Sequence, residues 1–316
     1  MNDIQNSILQ TLNWFEILRR PLTVDELYRN LWKCECSEED FRRELHDLID
    51  SGIVYLMNTG NMPPEDFVLR SKPGAHEVWE QYVNRAPERE FFERRIQKLQ
   101  RVLKWIPFIR SIYVVNSVAF GGIRKGSDLD LFVVIRDGYM WLGRALVTLV
   151  ISCMGIRRHD EKITNRVCLS FFVTESAMNL ENIRIKAHDD IYLVYWILWA
   201  RPIIIRRDRS SPCPQNVLPQ ENSWITKYVP NIQHHDRSGQ ACLTTTIFAM
   251  IFECVLFFTG IAWISNQILR YFLKKRALRK HEKSSSRASI IISDEILKFH
   301  EEDRREEYWK KLLKEV

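Results

Sequence analysis

The chain has no cysteine framework. Its seven cysteines (34, 36, 153, 168, 213, 242 and 254) are odd in number and irregular in spacing. That excludes a small disulfide-stapled domain, and Cys34-Glu35-Cys36 has no second ligand pair nearby to complete a zinc site. A signal peptide is lacking too: Met1–Arg20 is polar and amphipathic, so reduced thiols in a cytoplasm are expected. No charge of one sign dominates, since 46 Lys and Arg against 40 Asp and Glu leave a net +6. Such a balance suits phosphate-bearing partners without demanding nucleic acid. With 46% hydrophobic and 27% charged residues the chain is globular, not disordered, and 316 residues suffice for two or three domains.

The most informative stretch is Ile112–Ile135, IYVVNSVAFGGIRKGSDLDLFVVI. A hydrophobic strand, Ile112–Val115, runs into the polar turn Asn116-Ser117. A loop with Gly121, Gly122, Arg124, Lys125 and Gly126 follows, and Ser127-Asp128-Leu129-Asp130 opens a second strand, Leu131–Ile135. Side chains alternate across a strand, so Asp128 and Asp130 share one face and Leu129 and Leu131 the other. Two carboxylates at the mouth of a strand, beside a Gly- and Ser-rich turn, can hold Mg²⁺ against a nucleotide's phosphates. The bland alternative is a solvated strand whose Asp128 and Asp130 merely close a turn.

These residues resemble the polymerase-β-like nucleotidyltransferase superfamily, whose signature is a Gly-Ser turn followed by Asp-x-Asp at the start of a strand. Ser117 matches the serine of the turn, and Asp128 and Asp130 match the metal-binding pair. Two departures stand out. Asn116 replaces the turn glycine, which is tolerable because Asn also visits left-handed conformations. Active members also carry a third carboxylate on a neighbouring strand, whereas the strand Val167–Val173 offers Ser170 at its middle. The resemblance implies a Mg²⁺ cofactor and an NTP substrate, ATP being the first choice. Asn116, Ser117, Arg124, Lys125 and Ser127 would then face the nucleotide.

Ahead of this block, residues 1–75 read as three short helices and a hairpin. Ile4, Ile8, Leu9, Leu12 and Phe15 fall at helical spacing. Thr23 can cap the next helix, with Glu26 completing a capping box, and a third helix begins after Ser37. Ile53–Met57 and Phe67–Leu69 are expected strands, and the whole reads as a winged helix. Its third helix offers Arg42, Arg43 and His46, but also Glu38, Glu39, Asp40, Glu44 and Asp47. Those acids repel phosphates, favouring a packing or partner-binding module over DNA binding. Trp14-Phe15 and Arg20–Leu27 resemble the N-terminal domain of a bacterial group of nucleotidyltransferase-like proteins.

A charged amphipathic helix, Pro87–Trp105, links the domains, with Phe92, Ile96, Leu99 and Leu103 on one face. Trp141–Met154 reads as a helix on the sheet whose one charge, Arg144, either snorkels to the surface or faces a phosphate. Ala187-His188-Asp189 matches an Ala-His-acid segment of the same bacterial group. With the strand carboxylate missing, His188 or Asp189 is a candidate general base, and Asp189 is equally a helix N-cap. Asn222–Asn231 and Ile296–His300 with Asp303-Arg304 extend the resemblance over nearly the whole chain.

One apolar run is long enough to raise a membrane question. Leu243–Ile264 holds 22 residues with Glu253 as its only charge. The basic residues from Arg270 to Lys280 all follow it, so a span would leave the nucleotide site outside the cell. Thr246, Glu253, Gly260 and Gln267 recur every seven residues and trace one polar stripe, which favours a buried or membrane-surface helix. Lys283–Ala288 reads as a flexible linker.

The expected architecture is therefore α+β. A winged helix (1–75) and a linker helix (76–108) precede a nucleotidyltransferase-like domain (109–240) with a small mixed sheet. A helical C-terminal extension (241–316) closes the chain. The expected activity is Mg-dependent transfer of a nucleoside monophosphate to an unknown acceptor hydroxyl. The alternatives are a catalytically weak nucleotide binder and a DNA-binding, antitoxin-like regulator. The protein is expected in the cytoplasm, with membrane association through 243–264 as a variant.

Overall fold

A computed structural model of the protein describes residues 1–58, 66–159, 163–206, 217–232, 243–282, 289–300 and 303–315. The first unit runs α1 (Asp3–Ile17), β1 (Leu22–Thr23), α2 (Val24–Arg29), α3 (Glu38–Asp50), β2 (Val54–Asn58) and β3 (Asp66–Arg70). Local chemistry fixes its helix starts. Asn2 caps α1, Ser37 caps α3, and Thr23 and Glu26 form the expected reciprocal box on α2. The three strands pair antiparallel in the order β1-β3-β2.

Two helices follow, α4 (Ala75–Asn84) and α5 (Ala86–Leu103), broken at Arg85 with Pro87 in the first turn of α5. Next come β4 (Ile109–Val115), α6 (Asn116–Phe120), β5 (Leu129–Ile135), α7 (Met140–Cys153) and β6 (Val167–Thr174). The apolar run after His188 divides into α8 (Ile191–Trp199) and β7 (Arg201–Ile205), followed by α9 (Val217–Glu221). The chain ends with α10 (Leu243–Phe258), α11 (Ile261–His281), β8 (Ser289–Ile292), β9 (Ile296–His300) and α12 (Arg305–Glu315). The main sheet has the order β7-β4-β5-β6-β9-β8, in which only the β5–β6 pair is parallel.

The protein is thus a mixed α+β chain, and two expectations about its C-terminal part are corrected. The extension is not purely helical, because Ile296–His300 pairs with β6 and Ser289–Ile292 pairs with it in turn. Nor is 243–264 one helix. It stops at Phe258, Gly260 takes φ +70°, and the next helix leaves at 82°. The seven-residue stripe therefore breaks at Gly260. Among the described residues no single helix is long and apolar enough to cross a membrane. The Lys283–Ala288 linker lies outside the described residues.

Alternation along the central strands builds a core on each face of the sheet. Ile112, Val114, Leu131, Val133 and Phe172 bury against α5 and α7. Tyr113, Val115, Phe132 and Phe171 bury on the opposite side, in a cluster that also holds Ile8, Trp14, Phe15, Leu27 and Phe41. The N-terminal helices and the main sheet thus share one core. Trp14 stacks on Tyr195 at 6.2 Å, and Phe15 meets Tyr195 at 5.0 Å and Trp199 at 5.2 Å. Each such aromatic pair adds about 0.5–1.5 kcal/mol beyond its area. This seam holds the N-terminal unit to the sheet.

Glu253, the single charge of the apolar run, is buried and paired. Its carboxylate accepts from Arg110 at 2.8 Å, Arg136 at 2.7 Å and the Phe108 backbone N–H at 2.9 Å. Arg206 adds a third positive partner at 3.7 Å. Burial pushes the Glu253 pKa up, but Arg110 and its neighbours more than offset it and hold the group below the usual carboxylate value.

Candidate functional site

Antiparallel pairing places Val115, the end of β4, opposite Asp130 near the start of β5. The chain turns at Asn116, which has φ +59°, the left-handed geometry the sequence pattern required there. Its side chain is specified at both ends. Tyr192 Oη donates to Asn116 Oδ1 at 3.0 Å and Trp196 Nε1 donates to it at 2.9 Å. Because the indole N–H can only donate, the amide nitrogen must face the other way, and it donates to Asp130 Oδ2 at 2.9 Å. Tyr192 and Trp196, four residues apart on α8, were hidden in the apolar run.

The loop from Gly121 to Asp128 is built tightly against the N-terminal unit. A Cβ at Gly122 would lie 2.0 Å from the Leu18 carbonyl oxygen, so no side chain fits there. Arg124 also reaches the Ile17 carbonyl at 3.5 Å. Ser127 staples the turn: its hydroxyl accepts the Arg124 N–H at 2.9 Å, and its own N–H returns to the Arg124 carbonyl at 3.0 Å.

The two aspartates and Cys168 bring three possible ligand atoms within 4.8 Å of one another. Cys168 stands opposite Asp130 in the parallel β5–β6 register, and an extra residue in β6 then shifts the pairing to Phe132 with Phe171. Ser170 is therefore not the residue opposite Asp130, although it lines the same cavity. Arg158 donates to Asp128 at 2.8 Å and lies 3.8 Å from the Cys168 sulfur. Burial and the neighbouring Asp128 charge push the Asp130 pKa up to about 7. Burial, reinforced by Asp130, also pushes the Cys168 thiol above its ordinary value. Without a cation, the site thus holds protons reluctantly released.

These groups open into a cavity of about 1650 Å³, large for one small ligand. Asn116, Ser117, Arg124, Ser127, Asp128, Asp130 and Arg144 all line it. Arg157, Arg158, Arg276, Arg304 and Arg305 make its wall strongly positive. Arg144 lies over the Phe299 ring at 4.5 Å. Burial and the nearby Arg157 lower its pKa to about 10, which leaves it cationic at neutral pH. Asp303 is the further carboxylate of the lining. Burial raises its pKa, yet the Arg305 hydrogen bonds win and bring it down to about 2.

Three expected site residues stand apart. Lys125 is exposed and does not line the cavity. His188 stacks on Trp309 at 4.5 Å and faces Glu306 at 3.2 Å, also outside the lining. Asp189 pairs with Lys33. Burial opposes its ionisation, but Lys33 holds its pKa below the ordinary value. The N-cap of α8 is the next residue, Asp190, which accepts from Leu193 N at 3.1 Å. His188 and Asp189 thus have Trp309, Glu306 and Lys33 among their side-chain partners, and neither residue lines the cavity into which Asp128 opens. Cys168, Arg158, Tyr192, Trp196 and Asp303 were not singled out from sequence as site residues. No family model matches the chain, and neither a curated protein nor a solved structure matches it.

Proposed function

We propose that this chain is a nucleotidyltransferase-type protein that binds an NTP with Mg²⁺ and transfers its nucleoside monophosphate to an acceptor hydroxyl, releasing pyrophosphate. The observation that carries the reading is the Asp128–Asp130 pair, held at a strand mouth and opening into a basic cavity. The donor set fits the ion. Mg²⁺ takes oxygen ligands, the two carboxylates supply them, and the Cys168 thiol, kept protonated by burial, is a neighbour rather than a ligand. Bound there, the metal would neutralise charge developing on the attacking and leaving oxygens.

The chain's own residues do the remaining work. Asn116 aims Asp130 while Arg158 aims Asp128. The Ser117 hydroxyl and the cations of Arg124, Arg144 and Arg157 would receive the phosphates. We read residues 1–75 as a winged helix that serves as a packing module. In its third helix Arg42 pairs with Glu38 at 2.6 Å and Arg43 with Asp40 at 2.6 Å, so its cations are already engaged.

A second reading, nucleotide binding without turnover, is favoured by one observation: a neutral thiol stands opposite Asp130 where a third carboxylate would serve as base. Incubation with each labelled NTP, Mg²⁺ and a cell lysate is expected to label an acceptor in wild type and not in Asp128→Asn. Mg-ATP affinity unchanged in both Asp128→Asn and Asp130→Asn, measured by calorimetry, would sink both readings. Tight Mg-ATP binding with no turnover, and turnover gained in Cys168→Asp, would select the second.

A further inference from the structure

The structure leaves a large apolar surface on the two helices that meet at Gly260. On α10, Ile247, Phe248, Ile251, Phe252, Val255 and Phe258 face outward, with Phe248 59% and Phe258 83% exposed. On α11, Ile261, Trp263, Ile264, Ile268, Tyr271 and Phe272 do the same, and Trp263 is 60% exposed. Globular chains rarely leave so much contiguous apolar area in water. The face is also fixed outward. Ala249 is fully buried and Glu253 is locked by its arginines, so α10 cannot roll to hide its other side.

We propose that this elbow inserts into one leaflet of a lipid bilayer carrying anionic headgroups. Two features select lipid over a protein groove. At 3.6 residues per turn, the six outward residues of α10 sweep about 140°, and Phe257, 44% exposed, widens the arc to roughly 220°, about twice the stripe of about 100° that a helix buries against a protein core. Acyl chains can surround such an arc. The second feature is the order of residues along α11. Its outward positions are apolar up to Phe272 except for Arg270, which is paired with Asp294, and the exposed residues beyond include the cations Lys275 and Arg279. From Gly260 to Lys275 the helix rises about 22 Å, and a tilted helix of that length carries its cations from mid-leaflet depth to the phosphate layer.

The 82° bend suits this placement, because it returns both helix ends to the same side instead of crossing. Trp105, 49% exposed and 5.7 Å from Phe248, lies beside α10 where an interfacial aromatic is favoured. The inference does not depend on any activity at Asp128.

Flotation of the full-length chain with vesicles tests it. The protein is expected to float with phosphatidylcholine–phosphatidylglycerol vesicles and far less with phosphatidylcholine alone. Phe258→Glu combined with Trp263→Glu should abolish flotation, while the melting temperature holds because both residues are exposed. Replacing Lys275 and Arg279 by Gln should weaken binding to the anionic vesicles about fivefold per cation. The proposal is overturned if wild type stays at the bottom of the gradient with both compositions. It is equally overturned if wild type is a stable oligomer that Phe258→Glu converts to a monomer, since a second copy would then cover the face. A doubly substituted chain that floats like wild type would also refute it.

Discussion

Replacing Asp130 by Asn should make the metal-free protein more stable at alkaline pH while removing its ability to hold Mg²⁺. Burial and Asp128 raise the Asp130 pKa from its ordinary 3.8 to about 7. A group that binds its proton more tightly when folded lends stability below its unfolded pKa, and that stability is lost as pH rises through the folded pKa. The window therefore runs from about pH 4 to about pH 7. Three pKa units correspond to roughly 4 kcal/mol, and the group's partial exposure at the cavity wall reduces the expected cost to about 2–4 kcal/mol at pH 8. Asn is isosteric and can still accept the Asn116 N–H that Asp130 accepts at 2.9 Å. In EDTA, urea unfolding at pH 8 should find Asp130→Asn more stable by about that amount, and the gap should close by pH 5. Adding Mg²⁺ should raise the wild-type midpoint by mass action and leave the variant unmoved. A variant equal to or weaker than wild type at pH 8, or a difference independent of pH, would refute the reasoning.

Other consequences follow from the same packing. Glu253→Ala strands Arg110, Arg136 and Arg206 without their shared carboxylate, and should cost about 3–5 kcal/mol in chemical denaturation at neutral pH. Because Glu253 is held below its ordinary 4.5, the loss should shrink as pH falls through that lowered value. Asn116→Gly keeps the left-handed turn but leaves Trp196 Nε1 without its acceptor. It should lose about 1–3 kcal/mol and weaken Mg-NTP binding in calorimetry, while Asn116→Ala should lose more through the strained backbone. Asp189→Ala should leave any NTP turnover within about twofold of wild type, since its partner is Lys33 and it lies outside the cavity. A loss of turnover with unchanged NTP affinity would restore it as a base.

Much of the framework was legible where local chemistry decides it. The box of Thr23 and Glu26, the Ser37 cap and the two strands flanking Asn116 each follow from neighbours in sequence. Asp128 and Asp130 were legible for the same reason. Cys168 was not, because which β6 residue faces Asp130 depends on an irregularity in pairing that periodicity cannot reveal. The turn from α8 into β7 lies inside an unbroken apolar run, where helix and strand look alike in sequence. Glu253 read as one mark on a polar stripe because its partners stand far away in the chain, at Arg110, Arg136 and Arg206.

Gly122 carries a consequence of another kind. Its backbone lies so close to the Leu18 carbonyl that the loop beside Asp128 is cast against the end of α1 as against a mould. Arg19, the next residue, has φ +58° at that contact. A side chain at Gly122 would have to push either the end of α1 or the loop that Ser127 staples out of place. The path of the loop beside Asp128 is thus set in part by residues more than a hundred positions earlier in the chain, at Ile17 and Leu18.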